Sequence, residues 1–178
     1  MKLDRRKLGL LCAVAALMCT EVITLAFRDT PENGMIDGPA DRIVVEKHAH
    51  TLSLYRQGKL LKTYRVALGR GGIGPKVQAG DNRVPEGVYR IMGRNSHSAF
   101  HRALKAGYPT PDQVRQAQAR GINPGGDIMI HGIRNGLGWV GPLQRQVDWT
   151  KGCIAVTDRE IEEIWRVVPD GTPIEINR

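Results

Sequence analysis

The sequence predicts one mainly β domain with one or two short helices, behind an N-terminal export segment. Three observations predict this fold class. Short apolar and β-branched runs recur between residues 42 and 178, separated by glycine, proline and other turn-forming residues. Only two stretches have the capping residues or the apolar spacing of a helix. About 150 residues remain after the leader, a length that suits a single domain with a hydrophobic core.

The N-terminus has the charge and hydropathy pattern of an export signal. Four basic residues and one acidic residue occupy the first seven positions, and an uninterrupted apolar run extends from Leu8 to Cys19. Glu21 interrupts this stretch, so a membrane span of about 20 residues would bury a carboxylate. We interpret residues 1–27 as an export signal or an N-terminal membrane anchor, and residues 28–41 as a linker to the domain.

The exported part of the chain is basic. The formal net charge is +8, and residues 1–27 contribute four basic and two acidic residues, which leaves +6 for the rest. This charge favours acidic surroundings such as an anionic cell wall or a membrane surface. Nucleic acid is not expected as a partner, because the basic residues are not interleaved with aromatic ones. The expected location is the periplasm or cell envelope, either free after cleavage or tethered to the inner membrane.

The predicted strands are short and begin with a hairpin. "RIVVEK" (42–47) and "TLSLYR" (51–56) are apolar or alternating, "QGK" turns, and "LLKTYRVAL" (centred on 61–68) returns as the hairpin partner. Further strands are predicted at "GVYRIM" (87–92), "DIMIHGI" (127–133), "CIAV" (153–156) and "PIEIN" near the C-terminus.

Two helices are predicted. In "TDREIEEIWRVV", Thr157 and Glu160 are spaced as a capping box. The residues that share its apolar face are Ile161, Ile164, Trp165 and Val168. "PDQVRQAQARG" (111–121) predicts a short polar helix that is stopped by glycine.

Two other patterns do not carry a function. "GRGGIG" (69–74) fits the glycine spacing of a dinucleotide-binding turn, but Pro75 follows and no helix begins there to hold a pyrophosphate, so we predict a flexible loop between strands. The histidine pairs lack a nearby third ligand, and we predict surface or hydrogen-bonding roles for His48, His50, His97 and His101. With no C-x-x-C or H-E-x-x-H pattern, neither a metal nor a cofactor is expected.

Cys153 is the only cysteine after residue 19. In an oxidising compartment an unpaired thiol is either thoroughly buried or used. Thr150, Lys151 and Gly152 precede it and predict a tight turn whose backbone amides could donate to a developing oxyanion. The Lys151 cation would favour the thiolate form of the cysteine.

His131 ends the apolar run "DIMIHG", at a strand end with Gly132 next to it. An imidazole is the usual base for a catalytic thiol near neutral pH. The residues leave two interpretations open: a Cys153–His131 pair for acyl transfer, and a core cysteine with a structural histidine.

Three separated motifs resemble, in order, those of the L,D-transpeptidase catalytic domain, the YkuD family. They are "GDNRVPEGVYRI", "GGDIMIHG" and "DWTKGCIAV", and "LSLYRQGKLLKTYRVALG" is similar to the opening strands of the family. The resemblance covers nearly all of residues 42–178 and is greatest to the branch whose motif is D-W-T-x-G-C-I-A-V. It implies a β-sandwich catalytic domain with the catalytic cysteine at a strand edge.

The resemblance also implies a reaction on peptidoglycan stem peptides. In this family a thiolate attacks the carbonyl between the L-centre of diaminopimelate and the terminal D-alanine, and the acyl group then passes to an amine. By position, Cys153 is the nucleophile and His131 the proton donor and acceptor. Thr150, Gly152 and Gly132 support the site, with amides of Gly152 and Cys153 as the oxyanion donors.

This chain departs from the family pattern at three places. Lys151 stands where many members have histidine, and Val84 replaces a threonine. A long loop, "GIRNGLGWVGPLQRQV", separates the two site residues, and its Arg134 and Trp139 either line the donor groove together with Lys151 or are plain surface residues.

Three alternatives compete with the transferase. The same site could hydrolyse, as an L,D-carboxypeptidase or an amidase that releases a wall-linked protein. A sortase also has histidine before cysteine, but the T-L-x-T-C motif is missing. A catalytically silent peptidoglycan-binding module would be expected to lose the Cys/His pair. The acceptor, leader cleavage and the oligomeric state are left open by the sequence.

Overall fold

The computed structural model describes residues 36–178. The predicted export segment (1–27) and the first part of the predicted linker lie outside the described residues. Residues 36–41 of that linker pack on the domain: Ile36 and Ala40 are buried, and the Ala40 N–H donates to the Val167 carbonyl at 2.7 Å. Between residues 36 and 178, no helix has both the length and the apolar character needed to cross a membrane.

Eight strands form one mixed sheet with the order β3-β2-β1-β8-β4-β5-β6-β7. Their bounds are β1 Arg42–Glu46, β2 Thr51–Arg56, β3 Lys59–Arg65, β4 Gly87–Ser98, β5 His101–Ala106, β6 Met129–His131, β7 Ile154–Ala155 and β8 Pro173–Asn177. The β1–β8 and β6–β7 pairs are parallel, and the other pairs are antiparallel. The 12-residue strand β4 pairs with β8 through its first part and with β5 through its second, so it joins two halves of the sheet.

The two halves share one hydrophobic core. After β3 the chain reaches the far edge of the sheet, where Ala67 bridges Ala155 and Gly69 bridges Thr150. The buried cluster combines side chains of both halves, including Ile43, Val45, Leu52 and Leu54 from the first two strands and Leu104, Ile130 and Ile154 from β5, β6 and β7. The predicted mainly β architecture is therefore confirmed, and the shared core is the one expected of a β-sandwich.

Both predicted helices form, and both begin at capping boxes. Helix α1 spans Pro111–Ala119 behind Thr110, and helix α2 spans Asp158–Val167 behind Thr157. The core-facing residues of α2 are Ile161, Ile164 and Val167. Trp165 is only partly buried, at the edge of the apolar face, where the guanidinium groups of Arg94 and Arg102 each lie 5.0 Å from its ring centre.

Three elements differ from the predictions. Strand β5 was not predicted, because "HRALKA" has weak β propensity and forms a strand only between two neighbours. Strand β4 continues six polar residues beyond the predicted end at Met92. Residues 138–146, within the predicted loop, form a 3₁₀ segment with a kink at Gly141.

The glycine-rich loop after β3 packs tightly against a neighbouring segment. A Cβ atom on Gly69 would lie 2.1 Å from the Asn82 carbonyl oxygen, and one on Gly71 would lie 2.0 Å from that of Asp81. Glycine is needed here for close approach of two backbones, a different reason from the flexibility that the sequence suggests.

Candidate active site

The two strands that carry the predicted catalytic residues are neighbours. In the parallel β6–β7 pair, His131 lies opposite Ala155 and Ile130 opposite Ile154. Cys153 immediately precedes β7 and is two residues from Ala155, so by the alternation of a strand it points to the same face. The fold therefore brings His131 and Cys153 to one face of the sheet as diagonal neighbours.

The His131 imidazole is buried and held in one tautomer. Its exposed fraction is 4%, and Nδ1 lies 2.7 Å from the Gly132 carbonyl oxygen. Because a carbonyl oxygen can only accept, Nδ1 carries the proton and Nε2 presents a lone pair. Burial lowers the pKa of His131, and the bond to Gly132 opposes this shift. The imidazole is therefore a neutral base at neutral pH.

Gly132 occupies a position with no room for a side chain. A Cβ atom there would lie 2.7 Å from Asp158 Oδ1 and 3.1 Å from Ile161 Cγ2. Asp158 Oδ1 accepts a hydrogen bond from the Ile133 N–H at 2.8 Å. The first turn of α2 therefore fixes the backbone that holds His131.

Two aromatic rings confine the imidazole. The centroid of Phe100 lies 4.7 Å from that of His131, in a tilted arrangement. Trp149 lies 5.7 Å away and meets the imidazole at 65°, and its Nε1 donates to Gln144 Oε1 at 2.7 Å. Phe100, Trp149 and Gln144 were not predicted as site residues. Of these only Trp149 had a sequence signal, because it stands inside the cysteine motif.

The Cys153 thiol is free and partly buried. Its Sγ donates to the Asp127 carbonyl oxygen at 3.5 Å. Burial raises the pKa of the Cys153 thiol, as does the charge of Asp127, while a hydrogen bond with the Met129 backbone and the charge of Lys76 lower it. The pKa is raised overall, so the resting sulfur is a thiol and not a thiolate.

Thr150 shapes the turn that presents the cysteine. Its side chain is buried, and Oγ1 donates to the Cys153 carbonyl oxygen at 2.7 Å. The same oxygen accepts from the Gly152 N–H at 3.2 Å. Gly152 has φ +117°, and a Cβ there would lie 2.8 Å from the Arg83 carbonyl oxygen. In the resting structure the Gly152 amide, expected as an oxyanion donor, is thus engaged by Thr150.

Replacing Thr150 with valine is expected to lower the free energy of unfolding by about 1–3 kcal/mol, because the near-isosteric side chain leaves the Gly152 N–H and the Cys153 carbonyl without their partner. Thr150→Ser keeps the hydroxyl and loses one methyl group, so it should cost about 0.8 kcal/mol. Urea unfolding of both variants measures the difference. Equal losses for valine and serine would show that the hydroxyl does not hold the turn.

The Asp148 carboxylate ties the cysteine motif (148–156) to two other segments of the chain. Its Oδ1 accepts from the Leu68 N–H at 2.8 Å, and its Oδ2 lies 3.0 Å from His50 Nε2. His50 thus has the hydrogen-bonding role predicted for it. His101 has one too, since its Nε2 lies 2.7 Å from Glu162 Oε1.

The residues predicted as possible lining of the donor groove lie at the surface. Lys151 and Arg134 are exposed, and the exposed fraction of Trp139 is 81%. The cation that lowers the pKa of Cys153 is Lys76, although the sequence suggested Lys151 for that role. The side chain of Lys76 is 4% exposed and paired with Asp81 at 2.7 Å.

A thiol and a confined neutral imidazole on one sheet face are typical of cysteine-dependent acyl-transfer domains. Residues 40–176 match the family model of the L,D-transpeptidase catalytic domain, YkuD. The chain belongs to this family, as its motifs predicted.

Relatives include "Putative L,D-transpeptidase YafK" of Escherichia coli K12, which is 29% identical over 177 residues. That alignment covers 92% of this chain and 64% of YafK, so this chain spans less than two thirds of the relative. The helical cell shape determining protein Pgp2 of Campylobacter jejuni has a similar fold, with a TM-score of 0.56, 23% identity, and coverage of 81% of this chain and 51% of Pgp2. An L,D-transpeptidase from Xylanimonas cellulosilytica aligns with a TM-score of 0.55 and 15% identity over 88% of this chain and 68% of its own.

Proposed function

We propose that this protein is a peptidoglycan L,D-transpeptidase that acts in the cell envelope, with Cys153 as nucleophile and His131 as proton acceptor and donor. The observation that carries the proposal is the placement of the Cys153 thiol and the proton-accepting imidazole on one sheet face. The name of the Escherichia coli relative and the description of Pgp2 as a cell shape determining protein support a cell-wall substrate. The positive charge of the chain suits a wall rich in carboxylates.

Acylation begins with the Cys153 thiol and the His131 imidazole both uncharged. Nε2 of His131 accepts the thiol proton as the sulfur attacks the carbonyl between diaminopimelate and D-alanine. The tetrahedral intermediate collapses when the imidazolium returns its proton to the leaving nitrogen. D-alanine departs, and a thioester joins the stem to Cys153. Both pKa shifts favour this description over a resting thiolate–imidazolium pair, because burial disfavours the charged form of each group.

Transfer reverses the proton movements. An amine acceptor attacks the thioester carbonyl, His131 takes a proton from the amine, and the sulfur leaves and regains a proton. The products are a 3-3 cross-link, or another amide, and the free thiol. A thioester suits this step because it reacts readily with amines.

Backbone amides are assigned to the oxyanion. The Cys153 N–H stands at the turn that presents the sulfur, and we assign it as the first donor. The Gly152 N–H joins it when the developing negative charge competes with the Thr150 hydroxyl. Gly132 contributes indirectly, through the carbonyl that fixes the His131 tautomer.

Incubation with tetrapeptide-bearing muropeptides tests the reaction. With wild type we expect free D-alanine and, with an amine acceptor present, 3-3 dimers detected by mass spectrometry. Cys153→Ala should give neither. Tripeptides and D-alanine without dimers would replace the transferase with an L,D-carboxypeptidase. In a parallel incubation with cell wall that carries linked protein, release of that protein would indicate an amidase. If no product is released, the remaining interpretation is a catalytically silent peptidoglycan-binding module.

A further inference from the structure

The sheet face that carries Cys153 continues across two neighbouring strands. Leu104, Ile130 and Ile154 lie opposite one another in register on β5, β6 and β7 and are fully buried in the core. Lys105, Met129 and Cys153 each stand one position from these residues and lie on the opposite face of the sheet. Lys105 is exposed, Met129 and Cys153 are half-buried, and Lys105 lies directly opposite Met129. Lys105 stands two strand spacings from the cysteine, or about 10 Å.

An exposed ion pair connects Lys105 to the thiol. Its Nζ lies 2.7 Å from Asp127 Oδ1, with exposed fractions of 49% and 76% for the two side chains. The backbone carbonyl of the same Asp127 accepts from the Cys153 Sγ. Asp127 has φ +54°, a left-handed conformation that is uncommon for a residue other than glycine. The residue that pairs with Lys105 through its side chain therefore also contacts the sulfur through its backbone carbonyl.

In the Lys105–Asp127 ion pair, Asp127 can be exchanged for a carboxylate of the substrate. Exposed ion pairs contribute only about 0–1 kcal/mol, so a substrate carboxylate can take the place of Asp127 at little cost. The other lysine near the thiol is not available in this way. Lys76 is 4% exposed, and its partner Asp81 also accepts hydrogen bonds from the backbone of Val77, Gln78 and Arg83.

A groove opens on the far side of Lys105. It has a volume of about 550 Å³, and its lining residues include Lys105, Val88, Arg90, Met92 and Tyr108. Val88 and Met92 are 69% and 66% exposed, unusually high for apolar side chains on a strand. The groove thus combines apolar surface with two cations, Lys105 and Arg90.

We propose that this groove is a subsite for the acyl side of the peptide stem, and that Lys105 determines specificity by binding a free carboxylate of the stem in exchange for Asp127. The proposal rests on the proposed function, because the stem is taken as the substrate. A stem peptide with a free carboxylate would match the groove: its apolar groups would contact Val88 and Met92, and the carboxylate would meet the cations. An extended chain advances about 3.3–3.6 Å per residue, so the two residues that precede diaminopimelate span about 7 Å, and a carboxylate on this part of the stem comes within reach of the Lys105 side chain.

The test measures binding in a chain that cannot turn over. In a Cys153→Ala background, calorimetric titration with a synthetic tetrapeptide stem gives the Kd for the Lys105→Met variant and its parent. Loss of one exposed ion pair is expected to raise Kd by up to about fivefold. Stems in which each carboxylate is amidated in turn identify the group: for one of them, parent and variant should bind equally. Lys105→Arg should bind more tightly than Lys105→Met.

Two further variants complete the design. Val88→Asp adds a negative charge to the groove and should also raise Kd, whereas Lys59→Met, an exposed lysine on β3, should leave it unchanged. The proposal is overturned if Lys105→Met binds every stem as the parent does, if Lys59→Met weakens binding equally, or if the parent binds no stem. Because the readout is Kd, stem binding that depends on Lys105 would support the subsite even if the wild type released no D-alanine.

Discussion

We expect the protein to form a covalent adduct with a carbapenem, and replacement of Cys153 with alanine to abolish that adduct. The strained lactam carbonyl is an acylating group, and the only thiol in the described part of the chain is that of Cys153. The wild type should gain the mass of one carbapenem in intact-protein mass spectrometry, and peptide mapping should locate it between residues 148 and 156. The variant should show only background labelling.

The control for this experiment uses the other two cysteines of the chain. A variant with Cys12→Ser and Cys19→Ser should keep the full adduct, because in the proposed mechanism only Cys153 has His131 beside its thiol. Failure of the wild type to acquire an adduct would count against an active thiol site. An adduct that persists in Cys153→Ala, or maps to the N-terminal cysteines, would assign the reactivity to another residue.

The fold was predictable where the chain carries its own local signals. Strands β1 and β2 follow their apolar alternation, β3 pairs with β2 after the predicted turn, and both helices follow their capping boxes. Strand β5 has no comparable signal, because Ala103 and Leu104 are followed by the exposed Lys105, and one of its two pairing partners, β6, comes from a distant segment. Tertiary pairing therefore outweighs local propensity in β5.

In the candidate site, too, the residues with a local sequence signal were predicted and those placed by tertiary contacts were not. Cys153 and His131 were predicted from residue type, expected compartment and motif. The confinement of the imidazole by Phe100 could not be predicted, since that residue lies on a turn between two strands, one of them unpredicted. Lys76 lowers the pKa of the Cys153 thiol because a loop folds back to it, and proximity in sequence, which favoured Lys151, gives no signal for this contact.

Replacing His131 with glutamine is expected to lower the rate of acylation by about 10²–10⁴-fold, the usual contribution of a positioned general base. Glutamine fills most of the space between Phe100 and Trp149, and its amide can donate to the Gly132 carbonyl. Alanine would leave a cavity in a buried site and reduce stability as well. Time-resolved mass spectrometry of carbapenem acylation gives the rate, and urea unfolding reports whether the fold is retained.

The pH dependence separates a base from a structural role. The pKa of His131 lies below its ordinary value of 6.5, so imidazole is deprotonated at neutral pH and the wild-type rate should fall only in acid, as this group gains a proton. In His131→Gln that acid limb should disappear. The variant rate should instead rise with the thiolate population, through pH 9.0 and above, because the pKa of Cys153 is raised from that value.

Two outcomes would remove His131 from the mechanism. One is acylation of His131→Gln at the wild-type rate at neutral pH with an unchanged urea midpoint. The other is survival of the acid limb in the variant, which would show that a different group accepts the proton. His50 is the histidine to test next, because its partner Asp148 lies in the cysteine motif and bonds to the backbone of Leu68. His50→Gln should otherwise retain the acid limb of the wild type.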